Sequence, residues 1–371
     1  MRLLVAGGGT GGHFYPALAV MKKLHEESQD HRICYIGTGR GLEAKIAPQY
    51  DWLEFKTITI RGLSRQSFKG FLQGLALLPL GLLQSLLAIR KFDPDVIYGT
   101  GGYTTFPPAF WGVILRIPVM THELNLKPGI TNRILSRFVT KVLFSYSDTQ
   151  NHLRVRDSKV TGTPVRKEIK DQQTEASPED FGLKPDLPII LLFGGSKGSK
   201  VLIEKTIQEF EQRDENTEIP FQLLVQTGNN NYSTFSERVE SLPTERISLV
   251  EYIENMGDAY RMSNLVICRG GAGSIAELVV AEKPAIIVPW RGAAEDHQYY
   301  NGKYLEQKGA AFLVKETEWL DYPLLEVLTD LFSSKDKLLE MSESYSDIAG
   351  DNGTREVVKT LKDTISEGEL C

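Results

Sequence analysis

The segment GGGTGGH, Gly7–His13, constrains this chain more than any other. It directly follows the apolar run Arg2–Ala6 and directly precedes FYPALAVMKKLHEE, whose apolar positions recur at helical spacing. The order reads as strand, glycine turn, helix. Five glycines in six residues let the backbone approach a bulky anion without contacts from Cβ atoms. The helix that follows offers unpaired N–H groups and the positive end of its dipole, so the turn suits a phosphate or diphosphate. His13 falls in the first turn of that helix, close to whatever the loop holds.

A second unit of the same kind begins about half a chain later. Pro188–Phe193 (PIILLF) is a buried-strand run, and Gly194–Lys200 (GGSKGSK) opens the next helical pattern. Two such units one domain length apart predict two similar nucleotide-fold halves. The chain has 371 residues, 41% hydrophobic and 24% charged, enough for two domains with real cores. Strand-like and helical runs alternate through residues 1–164, which reads as one α/β domain with a parallel sheet covered on both faces. The alternation resumes through residues 165–340, after the polar stretch 171–187. Residues 341–371 read as a charged helical tail that packs on either domain. Ligands of open parallel sheets bind beyond the carboxyl ends of the strands. The expected architecture is therefore two Rossmann-like domains facing across a deep cleft, with every glycine turn lining it.

Net charge is −6, which argues against a nucleic-acid binder. The three cysteines, Cys34, Cys268 and Cys371, are far apart and lack metal-ligand spacing, as expected of reduced thiols in a cytosolic chain. Met1–Arg2 runs straight into the first strand, so no secretory signal is expected ahead of the fold.

Gly70–Ile89 carries no charge over 20 residues, about the length of a membrane span. Pro79 interrupts it and polar residues dilute it; Arg61, Arg65 and Lys69 precede it, and Arg90 and Lys91 follow. Two readings stay open here. One is a core helix of a βα unit; the other is a surface helix that dips into a bilayer while its basic flanks meet anionic headgroups. A true span would tear the strand–helix series apart.

Four further motifs lie at strand ends. Gly7, Gly9 and Gly12 also match the dinucleotide fingerprint, but the second strand ends Ile36–Arg40 with no carboxylate until Glu43, which argues against a dehydrogenase. Thr100–Tyr103 (TGGY) is a third glycine turn, with Tyr103 on its rim. His122–Asn125 (HELN) gathers groups able to transfer protons and accept hydrogen bonds; His122 reads equally as structural, and no further ligands at metal spacing accompany it. Arg269–Glu277 (RGGAGSIAE) repeats strand, turn and helix. There Gly271–Ser274 offer backbone donors to a diphosphate, and Glu277 is able to accept two hydrogen bonds from a ribose diol. In Glu295–Asn301 (EDHQYYN), Gln298 suits sugar hydroxyls, with a helix N-cap as the alternative.

Taken together, these motifs resemble the bacterial MurG family of N-acetylglucosaminyltransferases, in glycosyltransferase family 28. The shared motifs are GGGTGGH at Gly7–His13, GTGGY at Gly99–Tyr103, HELN at His122–Asn125, GTPVR at Gly162–Arg166, GGSKGS at Gly194–Ser199, RGGAGSIAE at Arg269–Glu277 and HQYYN at His297–Asn301. They come in the family's order and cover nearly the whole chain. The resemblance implies a GT-B fold, with UDP-N-acetylglucosamine mainly on the second domain and a lipid acceptor on the first. It places Thr10, Gly11, Gly12, Asn125, Arg166, Ser196 and Ile253 at the donor. Ala272, Gly273, Ser274, Ile275, Ala276 and Glu277, with His297 and Gln298, hold its nucleotide and sugar. His13, Glu123 and Tyr103 fall on the acceptor side. Leu124 and Lys197 stand where the family commonly has Gln, and Gly270 and Gly273 vary its RxGAxT-type turn.

The implied reaction is an inverting transfer of N-acetylglucosamine to the 4-hydroxyl of undecaprenyl-diphospho-N-acetylmuramoyl-pentapeptide, a step of peptidoglycan synthesis. The enzyme would work as a peripheral protein on the cytoplasmic face of the bacterial plasma membrane. His13 is the first candidate base, because imidazole ordinarily titrates near neutrality, and Glu123 is the second. Helix N-termini, with Arg166, would stabilise the departing diphosphate. The sequence offers no DxD motif of the sort that often holds a divalent ion in other sugar transferases, so no bound metal or other cofactor is expected. Two alternatives are another GT-B enzyme, either a transferase to diacylglycerol or a UDP-N-acetylglucosamine 2-epimerase, and a non-catalytic sugar-nucleotide sensor.

Overall fold

The computed structural model describes residues 1–9, 11–62, 67–170, 176–195, 198–213, 218–242, 245–346, 348 and 353–368. The chain divides into two compact units, Met1–Arg166 with Gly350–Cys371, and Lys167–Ala349.

In the first unit short apolar runs form strands β1 (Arg2–Ala6), β2 (Arg32–Gly37), β3 (Leu53–Thr57), β4 (Val96–Gly99), β5 (Val119–Glu123), β6 (Lys141–Phe144) and β7 (Ser158–Val160). They make a seven-stranded sheet in the order β3-β2-β1-β4-β5-β6-β7, with every pair parallel. Helices α1 (Gly11–Glu27), α2 (Glu43–Ile46), α3 (Phe68–Phe92), α4 (Phe106–Ile114) and α5 (Ile130–Leu135) connect them. Both sheet faces are covered. Leu3, Val5 and Tyr35 pack against Phe14, Ala17 and Met21 of α1. Leu4, Ala6 and Ile36 pack on the other face with Ile89 and Phe92 of α3 and Ala109 of α4. Burial on both faces explains why these strands read as continuous apolar runs.

The second unit begins with the single turn α6 (Lys167–Lys170). Strands β8 (Ile189–Phe193), β9 (Gln222–Gln226), β10 (Ile247–Val250), β11 (Leu265–Cys268), β12 (Ala285–Ile287) and β13 (Ala311–Leu313) form a six-stranded sheet ordered β10-β9-β8-β11-β12-β13, again parallel throughout. Around it lie α7 (Lys200–Gln212), α8 (Tyr232–Glu240), α9 (Met256–Met262), α10 (Ala272–Ala281), α11 (His297–Gln307), α12 (Glu316–Trp319), α13 (Leu324–Ser333) and α14 (Lys335–Glu343). Ile190, Leu223, Val225 and Ile267 meet Leu202, Ile203 and Phe210 of α7 and Leu328 of α13 in one core.

Residues 341–371 do not travel as one tail. Tyr345 donates its hydroxyl to the carbonyl of Lys283 at 2.7 Å and so stays with the second unit. The last helix, α15 (Gly353–Gly368), returns to the first unit, where Val357, Val358 and Leu361 join the core beside α1. Ion pairs Lys159–Glu356 at 2.7 Å and Lys362–Glu27 at 2.5 Å flank that contact.

Pro79 does not interrupt α3, which runs unbroken for 25 residues. Proline removes the helical bond to the carbonyl four residues earlier. Here Leu75 and Pro79 are both exposed, so the carbonyl it frees lies on the open side of the helix. Up to Ser85 the helix is also inverted in polarity. Its buried line there is Gly70, Gly74, Gly81 and Ser85, joined at the C-terminal end by Ile89 and Phe92, whereas Phe68 (78%), Leu83 (53%) and Leu87 (58%) are exposed.

Strand order reverses between β1 and β4 in the first sheet and between β8 and β11 in the second. In open parallel sheets these switch points form the natural ligand crevices.

Candidate active site

At the first switch point α1 begins just beyond β1, so Gly11, Gly12 and His13 occupy its first turn. The Thr100–Tyr103 turn leaves β4 beside them. Imidazole Nδ1 of His13 lies 2.8 Å from the carbonyl oxygen of Thr100, and the Thr100 hydroxyl donates to the carbonyl of His13 at 2.9 Å. A carbonyl only accepts, so Nδ1 of the neutral ring carries the proton and Nε2 carries the lone pair. This is the tautomer that a base acting through Nε2 requires. Tyr103 is half-buried, with its ring against Gly9 and Gly62. Burial, then the charge of Glu43, pushes its phenol above the ordinary range, so it stays protonated near neutrality.

The HELN residues leave β5 one strand further along. His122 is completely buried, with Nδ1 2.9 Å from the Tyr98 hydroxyl and Nε2 3.3 Å from that of Ser145. Burial pushes its imidazole down to about 3, so it is neutral and structural. Glu123 accepts four hydrogen bonds. Oε1 takes the backbone N–H of Asn125 at 3.0 Å and its side-chain amide at 3.1 Å. Oε2 takes the N–H of Gly129 at 2.9 Å and the amide of Asn132 at 2.8 Å. Burial raises its carboxyl above the usual range, partly offset by those bonds. With all its acceptor positions engaged, Glu123 anchors the 124–132 loop and is poorly placed to take a substrate proton. Leu124 is buried in the core, which suits an apolar residue at that place. The Arg166 guanidinium lies 4.5 Å from the ring centre of Tyr15 on α1.

The second switch point is built alike. Buried Arg269, just past β11, donates to Ser199 at the start of α7 at 2.8 Å, to the carbonyl of Val288 at 3.0 Å, and pairs with Glu316 at 2.5 Å. It ties the turn after β8 to the turn after β11. No side chain caps the N-terminus of α10, so its first N–H groups face the crevice bare. Ala272, Gly273 and Ser274 form that first turn, while Ile275 and Ala276 are buried in the core. Glu277 follows, with Oε2 accepting from the Tyr260 hydroxyl at 3.2 Å. Gln298, in the first turn of α11, accepts the N–H of Trp290 through Oε1 at 2.9 Å, which directs its NH₂ group away from that loop. His297 stands beside it with Nδ1 2.7 Å from the carbonyl of Ala294. The N–H of Ile253 is taken by Gln226 at 2.9 Å, leaving the Ile253 carbonyl as its backbone group for a ligand.

Thr10 and Ser196, with Arg65 and Lys197, lie outside the described residues. Sequence reasoning missed Gln226 and Glu43. Gln226 joins Gly195 to Ile253, and Glu43 is buried behind the first glycine turn. Among the described residues no cluster of His, Cys, Asp or Glu is disposed to hold a metal ion.

Two parallel nucleotide-fold domains, each with a glycine turn at its switch point, define a protein of the GT-B class. The N-terminal domain model of glycosyltransferase family 28 matches residues 3–144, and the C-terminal domain model matches residues 189–361. The chain belongs to glycosyltransferase family 28, and its relatives there are the MurG enzymes. The UDP-N-acetylglucosamine–N-acetylmuramyl-(pentapeptide) pyrophosphoryl-undecaprenol N-acetylglucosamine transferase of Clostridioides difficile is 35% identical over 98% of this chain and 88% of that one. The Acetivibrio thermocellus enzyme of the same name is 32% identical over 98% of each. The crystal structure of Acinetobacter baumannii MurG superposes with a TM-score of 0.72 at 28% identity, covering 98% of this chain and 99% of that one.

Proposed function

We propose that this chain transfers N-acetylglucosamine from UDP-N-acetylglucosamine to the 4-hydroxyl of undecaprenyl-diphospho-N-acetylmuramoyl-pentapeptide, with inversion at the anomeric carbon. The His13–Thr100 hydrogen bond carries this reading, because it fixes the tautomer a general base needs. The acceptor oxygen attacks C1 and its proton passes to Nε2 of His13. The bond from C1 to the diphosphate oxygen breaks, and UDP departs with the electron pair. Oriented amides at the start of α10 stabilise that charge without reorganising. Glu277 holds the ribose diol, the Ile253 carbonyl meets the uracil, and the Gln298 amide reaches the sugar hydroxyls. Tyr103 contacts the acceptor as a protonated phenol. Glu123 holds the loop that presents Asn125.

The acceptor's polyprenyl chain stays in a bilayer, so the enzyme works at a membrane surface. The exposed leucines of α3 support this reading, together with exposed Ile114 of α4 and exposed Ile130 and Ile134 of α5. Water-facing apolar side chains in such number mark a docking surface. Exposed Lys69, Arg90, Lys91, Arg133 and Arg137 add charge for anionic headgroups. We place the enzyme peripherally, on the cytoplasmic face of the bacterial plasma membrane.

Radiolabelled donor offered to the purified enzyme with the muramyl lipid or with diacylglycerol tests the reading. Label is expected in the muramyl lipid alone; label in diacylglycerol would overturn it.

A further inference from the structure

Behind the first glycine turn lies a buried carboxylate that the reaction above does not use. Glu43, the first residue of α2, has no solvent exposure. Its Oε1 accepts the backbone N–H of Thr38 at 3.1 Å, the Thr38 hydroxyl at 2.8 Å and, more weakly, the N–H of Gly9 at 3.4 Å. Its Oε2 is buried and makes no hydrogen bond among the described residues. Three glycines enclose it. A Cβ on Gly8 would lie 2.7 Å from Oε1, one on Gly41 2.0 Å from Oε2, and one on Gly37 2.7 Å from Cγ.

Burying a carboxylate with one oxygen unbonded is costly, and a neutral side chain would fill the same space at lower cost. The placement therefore points to something the charge and its bonds accomplish. What they hold is backbone. Gly9 has φ +87°, and its N–H turns inward to Glu43, away from any ligand on the turn. The ring of Tyr103 rests on that residue. A Cβ on Gly9 would be 2.9 Å from Cε1 of Tyr103 and 3.1 Å from its hydroxyl oxygen. Glu43 thus sets the floor on which Tyr103 is seated, and its charge favours the protonated phenol.

We propose that Glu43 is a positioning residue that fixes the Gly8–Gly9 backbone and, through it, the seat of Tyr103, so that it governs use of the acceptor and leaves donor binding alone. This rests on the reading in which the acceptor meets His13 and Tyr103 on the first domain.

The test is the Glu43→Gln variant, assayed with UDP-N-acetylglucosamine and the muramyl lipid. The dissociation constant for UDP should stay within twofold of wild type, while kcat/KM for the lipid falls at least tenfold. Combined with Tyr103→Phe, the second substitution should cost much less than it does alone, because coupled sites are not additive. Thr38 also hydrogen-bonds the Tyr103 side chain, so the second variant is Glu43→Asp, which keeps the charge but shortens the reach to Gly9. It should give a smaller loss in the same direction and the same coupling to Tyr103→Phe, and it decides the matter if Glu43→Gln fails to fold. A folded Glu43→Gln enzyme with normal acceptor kinetics, or losses that simply multiply with Tyr103→Phe, would overturn the proposal. His13→Ala separates the two levels. If it is inactive while Glu43→Gln is normal, only the role of Glu43 fails; if His13→Ala keeps full turnover, the underlying reading fails.

Discussion

His13 and Thr100 hold one another through two hydrogen bonds, Nδ1 to the Thr100 carbonyl at 2.8 Å and the Thr100 hydroxyl to the His13 carbonyl at 2.9 Å. The pair joins the helix after β1 to the turn after β4, where the strand order of the first sheet reverses. Backbone chemistry thus decides which ring nitrogen carries the proton.

If His13 is the base, His13→Ala should lower kcat by about 10²–10⁴-fold, the usual contribution of general-base catalysis. Binding of UDP, measured by calorimetry, should be unchanged. Retained turnover would remove His13 from the reaction.

Gly101 has φ +91°, and a Cβ there would lie 3.3 Å from Cε1 of His13. Gly101→Ala therefore strains the backbone by about 1–2 kcal/mol and crowds the imidazole. The expected outcome is a lower unfolding midpoint in urea together with reduced kcat. An alanine enzyme of wild-type rate would show that the ring position is not critical.

Glu277→Ala should raise KM for UDP-N-acetylglucosamine by about 10- to 100-fold, the range for hydrogen bonds to a charged group. Tyr260→Phe, which removes the 3.2 Å bond to Glu277, should raise it less. Equal KM values in wild type and Glu277→Ala would contradict the ribose assignment.

Burial depresses the imidazole of His122 to about 3, whereas an unfolded histidine titrates near about 6.5. The unfolded chain therefore binds a proton that the native state refuses, and this site's contribution to stability falls as pH drops below that ordinary value. Between pH 7 and pH 5 it should remove about 2 kcal/mol. His122→Gln is expected to be less stable at pH 7 but to show a shallower decline toward pH 5 in urea titrations. Parallel curves would refute the buried neutral histidine.

Leu83 and Leu87 stand on the exposed face of α3. Changing both to glutamate should abolish flotation with anionic liposomes while leaving the far-UV spectrum and UDP binding intact. Unchanged flotation would move the membrane contact elsewhere.

Much of this was legible in the sequence because each glycine turn interrupts an apolar run at a strand's carboxyl end, and parallel sheets bind ligands at those ends. The turns at Gly7 and Arg269 follow β1 and β11, the strands at which the order of each sheet reverses. Glu43 was not legible. A lone glutamate after the Gly39–Gly41 turn reads as solvated, and only closure of Gly8, Gly37 and Gly41 around it makes it buried. That α3 runs unbroken across Pro79 depends on which way the carbonyl it frees faces, which is a tertiary fact. The course of residues 341–371 was hidden too, because α14 and α15 are both charged amphipathic helices and nothing in either says which core will accept it.

The most direct measurement follows UDP continuously in a solution of enzyme and UDP-N-acetylglucosamine, before and after addition of undecaprenyl-diphospho-N-acetylmuramoyl-pentapeptide. The account predicts background release from the donor alone and one UDP per disaccharide-lipid once the acceptor is present. Rapid UDP release, or an epimerised sugar, without the lipid would contradict it.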